Sequence, residues 1–239
     1  MNVDNYSQVI GSKRNISGIN TQLNLVLDTK KRSTERKKEI YQSVKRGLDV
    51  CMASVALILL LPLFLVIMLA IKLDSKGPVI FKHKRIGKNG KEIYIYKFRT
   101  MVENAEDLIK KFTPEQMNEF KKNFKLENDP RITRVGNFLR KTSLDELPQL
   151  INILKGDLAL IGPRPVIGDE LEKYSSNKSK FLSITPGLTG YWAANGRSNT
   201  TYEQRMTMEL YYVDNISLKL DAEIFAKTVV SVLKREGAA

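Results

Sequence analysis

The sequence predicts a helix-rich α+β protein, with a membrane helix-break-helix placed ahead of a domain that carries a small β-hairpin. Three observations predict it. Val50 to Ile71 holds no charged residue, and about 22 residues reach the span of a bilayer core. Gly87-Lys88-Asn89-Gly90 is a turn signal between two runs rich in β-branched and aromatic residues. Most of the remaining chain shows apolar residues at helical spacing.

The elements follow in order. Residues 1–40 are polar, with Asn, Ser, Thr and Lys prominent, and read as a loosely docked extension in which Leu23 to Leu27 could form a strand. Residues 41–76 hold the apolar run. Pro62 lies near its middle, removes one helix hydrogen bond and kinks the helix. Both flanks are basic, Lys45 and Arg46 before it and Lys72 and Lys76 after it. Positive flanks prefer the cytoplasmic side. The favoured reading is therefore a segment that enters, bends at Pro62 and leaves by the same face; the alternative is a straight Pro-kinked span. Residues 77–239 form the domain. Gly77-Pro78 marks a turn, Pro78 to Phe81 a short strand, and Ile93 to Phe98 its hairpin partner. Residues 102–126 read as helix with Leu108, Phe112, Phe120 and Phe124 inward and a break at Pro114. Residues 130–156 give two short helices, the second starting near Ser143. A Gly/Pro loop runs from Gly162 to Gly168, and Leu182 to Trp192 reads as loop. The tail places Leu220, Ile224, Val230 and Leu233 at helical spacing.

Composition bounds the function. The 239 residues carry a formal net charge of +13, which calls for an anionic partner: nucleic acid, anionic lipid or a phosphorylated substrate. Cys51 is the single cysteine, so no internal disulfide forms, and inside an apolar run it reads as a small core or lipid-facing residue. His83 is the single histidine, which argues against a His-based triad and a multi-His metal site. A metal here is a hard cation held by oxygen.

Thr142-Ser143-Leu144-Asp145-Glu146-Leu147-Pro148 admits two readings. In the structural one, Ser143 and Glu146 form a capping box and two acids complement a helix dipole. In the functional one, Asp145 is an ionised nucleophile and Glu146 helps with a cation or a proton. Adjacent helical residues point about 100° apart, so the pair does not flank a glycosidic bond, and phosphoryl transfer fits better. Arginines in short motifs surround this segment. They are Arg99 beside Lys97, Arg131 after Asp129-Pro130, Arg140, Arg164 between Pro163 and Pro165, and Arg197 after Gly196. Arginine contacts phosphate bidentately, although any single one also serves as a structural ion pair.

In order, these motifs closely resemble the bacterial sugar transferases, the monotopic polyprenyl-phosphate hexose-1-phosphate transferases, over about residues 45–235. The resemblance rests on Lys45-Arg46-Gly47-Leu48-Asp49, Gly77-Pro78-Val79-Ile80-Phe81 and Lys97-Phe98-Arg99-Thr100-Met101. It continues through Asp129-Pro130-Arg131-Ile132-Thr133-Arg134-Val135-Gly136, Arg140 to Gln149, Gly156-Asp157 and Gly162-Pro163-Arg164-Pro165, and ends with Pro186 to Gly190 and Gly196-Arg197. It implies a re-entrant helix in the bacterial inner membrane, a cytoplasmic catalytic domain and a two-step reaction. Asp145 attacks the β-phosphate of a UDP-sugar and releases UMP. Polyprenyl (undecaprenyl) phosphate then takes the sugar phosphate, which starts exopolysaccharide, capsule or glycoconjugate assembly. The resemblance further implies a Mg2+ requirement with Asp145 near the ion, assistance from Glu146, and phosphate or nucleotide contacts by Lys97, Arg140, Arg164 and Arg197, with Arg99 and Arg131 as further candidates. Two departures stand out. Leu61-Pro62 replaces the frequent Ser-Pro, and Ala193 follows Trp192 where Gln is frequent. The short polar N-terminus suggests the small form of the family.

Two other classes compete. A non-catalytic membrane-anchored protein that binds anions or a partner would use Asp145-Glu146 only as a helix cap. A nucleic-acid-binding protein fits poorly, because the basic residues are dispersed and a membrane segment has no role in it. The sequence leaves open the sugar and whether a second copy of the chain is a partner.

Overall fold

The computed structural model describes residues 3–123, 126, 129–196 and 200–234. Contacts divide the chain into two units, residues 1–46 and 47–239. In the first, the chain is helical from Val3 onward, so Leu23 to Leu27 is helix rather than strand. That stretch has no β-run nearby in sequence to pair with, and the Lys-, Arg- and Glu-rich residues 30–39 that follow it favour helix.

Helix α1 is Val3–Asp74 and runs through Pro62, so the helix break expected there is not present: the one hydrogen bond that proline removes is lost inside an otherwise continuous helix whose contacts with the core lie on both sides of it. Its part from Lys38 to Asp74 is long and apolar enough to cross a membrane. Within the second unit this helix has two different sides. Ala53, Phe64, Ile67 and Ile71 are buried, and Leu57 and Leu60 pack with them. Their spacing of three and four residues draws one stripe about 27 Å long. The opposite side, with Val55, Ile58, Leu59, Leu65, Val66, Leu69 and Leu73, is exposed although equally apolar. Pro62 and Cys51 are also exposed. Asp49, buried at the start of this stretch, accepts the Leu160 N–H at 3.1 Å and so ties the helix to the strand beyond it.

Gly77, at φ +110°, ends the helical course where a side chain would meet the Arg99 guanidinium. The hairpin follows: β1 Ile80–Ile86 and β2 Glu92–Phe98, antiparallel, with His83 opposite Ile95 and Phe81 opposite Lys97. Asn89 and Gly90 supply the positive φ values of the turn. Next come α2 Ala105–Ile109 and α3 Pro114–Asn123; Pro114 starts a helix, where its missing N–H is harmless. α4 is Arg134–Thr142, capped by Thr133, whose Oγ1 accepts the Gly136 N–H at 2.9 Å. α5 is Gln149–Lys155. Its buried Asn152 completes the edge of β2, donating to Tyr94 O at 2.7 Å and accepting from Tyr96 N at 2.9 Å.

β3 Ala159–Ile161 pairs in parallel with β4 Gly187–Thr189, and α6 Gly168–Glu172 and α7 Lys178–Phe181 lie in the crossover. β4 falls in the stretch read as loop, because three residues are too few to show alternation. α8 Tyr191–Asn195, α9 Tyr202–Asp214 and α10 Leu218–Leu233 complete the chain. The tail expected to be helical is α10; Ile224 on it is buried and Val230 is 49% exposed, so only part of the apolar spacing faces the core. The Phe124 and Leu233 side chains lie outside the described residues. The core has two parts beside α1. One joins Ala53 to Ile93, Ile95, Leu150, Ile153 and Leu158; the other joins Phe64, Ile67 and Ile71 to Phe98 and Leu139. The hairpin, α4 and α5 are thereby held against one helix, and the chemistry-bearing segments lie between them.

Candidate active site

Asp145 and Glu146 do not open a long helix. Ser143 takes a left-handed conformation (φ 56°) as the C-cap of α4, and Leu144–Glu146 make a single 3-10 turn before α5 begins at Gln149. The expected capping box is not formed: Ser143 makes no side-chain cap hydrogen bond, and Glu146 pairs with Lys97 at 2.6 Å instead. The reason is tertiary. Lys97 projects from β2, which Asn152 fixes to α5, and a cation at that distance outcompetes a backbone N–H for the carboxylate.

The turn opens onto a cleft. The hairpin contributes His83, Arg85, Ile95 and Lys97; the turn and α5 contribute Glu146 and Gln149. Arg164 and Pro165, the backbone of Gly187–Gly190, Trp192, Ala193 and Glu209 form the remaining walls. Gly187 and Gly190 are required there, since a Cβ on either would stand 2.1 Å from Gly162 backbone atoms. Arg164 lies over the Trp192 ring at 5.8 Å.

The electrostatics follow from burial and neighbours. Burial pushes the Asp145 carboxyl up to about 6; Lys97 and Arg140 pull it down, and Glu146 pushes it up. The group therefore remains a carboxylate at neutral pH, poorly hydrated, beside two cations. Such a carboxylate is a better nucleophile than one in open water. Burial and the cations Arg85, Lys97 and Arg164 push His83 down to about 4, so it is neutral at physiological pH.

Of the residues named from sequence, Lys97, Glu146 and Arg164 line the cleft; Asp145 adjoins Glu146 without itself lining the cleft, and Arg140 is close enough to Asp145 to pull its carboxyl down. Arg140 is oriented by its Nε–H, which donates to Thr100 Oγ1 at 2.9 Å. Arg99 and Arg131 are placed elsewhere. Arg99 is buried and donates to Pro78 O (2.6 Å), Ser75 O (2.7 Å) and Ser75 Oγ (3.0 Å), closing the end of α1. Arg131 is buried in a bidentate pair with Asp129 (2.6 and 2.8 Å), and its guanidinium lies against the edge-to-face pair of Phe112 and Phe120 rings, 5.3 and 5.0 Å from their centres. Arg197 lies outside the described residues. Arg99→Met is accordingly expected to lower stability by about 2–4 kcal/mol, leaving buried carbonyls unpartnered, with no change in substrate KM. Thermal melting beside a substrate titration checks this; an intact melting temperature with a raised KM would refute it.

The sequence reading missed His83, Arg85, Gln149 and Glu209. For the first two a signal existed: Phe81, His83 and Arg85 alternate along one face of β1, and two polar residues on such a face point to a cleft. For Glu209 there was none, since one acid on an amphipathic helix is ordinary.

A bacterial sugar transferase family model matches residues 40–235, and this chain belongs to that family. Among its relatives, an uncharacterised sugar transferase of Haemophilus influenzae is 46% identical over 82% of this chain and 42% of its own length. The undecaprenyl-phosphate galactose phosphotransferase of Salmonella typhimurium is 44% identical over 82% of this chain and 41% of its own. The exopolysaccharide production protein ExoY of Rhizobium meliloti is 46% identical over 81% of this chain and 87% of its own. The match thus spans about two fifths of the first two relatives and most of the third.

Proposed function

We propose that this protein transfers a sugar-1-phosphate from a UDP-sugar to polyprenyl phosphate and releases UMP. The observation that carries the reading is the pairing, in one domain, of the Asp145 carboxylate between Lys97 and Arg140 with an apolar helix whose outer side is uncovered. The Salmonella relative's name, an undecaprenyl-phosphate galactose phosphotransferase, supports it.

In the first step, an Asp145 carboxylate oxygen bonds to the β-phosphorus of the donor. The bond from that phosphorus to the bridging oxygen breaks, and UMP leaves with the bridging oxygen. In the second, a phosphate oxygen of the polyprenyl phosphate bonds to the same phosphorus, the Asp145–phosphorus bond breaks, and the carboxylate is restored. Lys97, Arg140 and Arg164 offset the charge on the diphosphate. Glu146 keeps Lys97 aimed at the site. Among the described residues no group of three or more carboxylate, His or Cys ligands surrounds a point, so a cage made wholly of protein does not form. Mg2+ commonly takes one or two carboxylates together with substrate phosphates, and Asp145 with a diphosphate fits that donor set. Bound there, the ion would neutralise developing phosphate charge.

The apolar part of α1 would lie at the inner membrane with the domain cytoplasmic, entering and leaving by one face, with Pro62 as the point at which the helix bends in lipid. The uncovered outer side of α1 supports the membrane contact: its other side, a stripe about 27 Å long, is shared with the domain core and leaves lipid only the outer side to cover, while the bend itself rests on Pro62 and the basic flanks, since α1 runs through Pro62 unbroken.

The test is UMP release by nanodisc-embedded protein given undecaprenyl phosphate, Mg2+ and a panel of UDP-sugars. One sugar is expected to yield UMP and lipid-linked sugar in equal amounts, with release lost on chelation. A folded, membrane-bound protein that releases no UMP from any donor sinks the reading in favour of a binding protein.

A further inference from the structure

The Pro163-Arg164-Pro165 turn contains a single backbone donor, since proline has no N–H. Its neighbours are anchored backbone to backbone: Gly162 N–H donates to Thr189 O at 2.9 Å, and Pro163 O accepts from Gly187 N–H at 2.9 Å. The Arg164 N–H is treated differently. It donates to a side chain, Glu209 Oε1, at 3.2 Å.

Glu209 is an unusual choice for that task. It is 1% exposed, and its Oε2 has no hydrogen-bond partner. A buried carboxylate with an unmade bond opposes folding. Among the described residues it forms no ion pair either, although the Nε and Nη2 of nearby Arg205 are likewise unpartnered. Arg205, one helical turn earlier on α9, reaches Glu170 at 3.5 Å and stacks on Trp192 at 4.8 Å. Burial pushes the Glu209 carboxyl up to about 7, against the pull of Arg205 and Arg164. The hydrogen bond that Glu209 does make is to the Arg164 N–H, in a cleft wall that Val166 joins to the hairpin through the Ile86 N–H at 2.8 Å.

We propose that Glu209 is the positioning residue for Arg164: it takes the one N–H of the Pro-Arg-Pro turn and thereby holds the Arg164 guanidinium at the cleft, over Trp192. The inference rests on the proposed role of Arg164 as a contact to the donor diphosphate. Glu209 touches no reacting atom in it. It acts through the turn, whose proline-fixed φ angles pass a shift of the central residue straight to its side chain.

The test is a double-mutant cycle on the full chain in nanodiscs, read as UMP release against donor and polyprenyl phosphate concentration. Glu209→Ala is expected to raise the donor KM about 10-fold, with the polyprenyl phosphate KM unchanged. Glu209→Gln keeps an acceptor for the Arg164 N–H and should lie within about 3-fold of wild type. In an Arg164→Ala background, Glu209→Ala should add less than about 2-fold, since the pair acts as one unit. If Glu209→Ala does not fold, Glu209→Asp, which withdraws the acceptor by one methylene, runs through the same cycle. Additive losses, a Gln variant as impaired as the Ala variant, or a lowered melting temperature with an unchanged donor KM would each overturn the inference. A wild type that releases no UMP from any donor removes the parent reading and this inference together. An active, Asp145-dependent wild type with an additive cycle removes this inference alone.

Discussion

Asp145→Asn is expected to abolish UMP release, by about 10³-fold or more, and at the same time to make the protein more stable at neutral pH. The first effect follows from chemistry, because an amide oxygen cannot displace UMP and then be regenerated. The second follows from the carboxyl's environment. Its folded value of about 6 lies above its ordinary 3.8, so the folded state holds the proton more tightly and ionisation opposes folding. The penalty is absent below pH 3.8, grows between the two values and is complete above 6. Asn removes it. With allowance for screening of a half-buried group, the gain is about 1–2 kcal/mol, or a few degrees of melting temperature, at pH 7.5. It should fade as the pH falls towards 4. The melts are run with Mg2+ chelated, because a bound cation would itself hold the ionised form. A variant that melts lower than wild type at every pH would mean that Asp145 is a structural cap, and residual UMP release would remove it as nucleophile.

Gly136→Ala should destabilise by several kcal/mol, although alanine normally improves a helix by about 1 kcal/mol over glycine. Gly136 is buried in the first turn of α4, where the helix crosses the backbone of residue 100. A Cβ there would stand 2.1 Å from Thr100 O and 2.6 Å from its carbonyl carbon, both unyielding backbone atoms. The same Thr100 O accepts the Thr133 N–H at 3.0 Å, and Thr100 Oγ1 accepts from Arg140. Relief requires α4 to move away, which breaks both contacts and carries Arg140, Ser143 and the Asp145 turn with it. The expected loss is about 3–5 kcal/mol, with activity falling even where the protein remains folded. Gly47→Ala is the control. Nothing lies within 4 Å of its Cβ position, so it should be neutral or slightly stabilising. Chemical denaturation of both variants decides the matter; a stabilised Gly136→Ala would show the α4 crossing to be slack.

Much of this protein is legible in local sequence. The hairpin can be read from an Asn-Gly turn between β-rich runs, α1 from an uncharged run, the α2/α3 break from Pro114, and the family from its ordered motifs. These signals are local because backbone preference and hydrophobic spacing act over one or two turns. The capping-box reading of Ser143 and Glu146 shows where that range ends. The motif is local, but its acid is claimed by Lys97, 49 residues earlier. The arginines show it again. Arg99, Arg131, Arg140 and Arg164 all sit in short basic motifs, and nothing in those motifs separates them. Only the fold shows that Arg99 closes α1 and Arg131 is sealed by Asp129, while Arg140 and Arg164 face the site.

By itself, then, the sequence determined the elements that backbone propensity and hydrophobic period control: the hairpin, the apolar helix and most of the short helices, but not the 3-10 turn that carries Asp145 and Glu146. It also determined the family, through many short motifs held in one order. Tertiary structure alone decided which side of α1 joins the core, which guanidiniums are spent on buried carbonyls and carboxylates, and that Glu209 reaches the Arg164 turn from 45 residues away. The physical reason is that burial and long-range pairing belong to the packed chain: the Asp129–Arg131 pair lies within one motif, but its burial does not show there, and no window of sequence contains both partners of the other contacts.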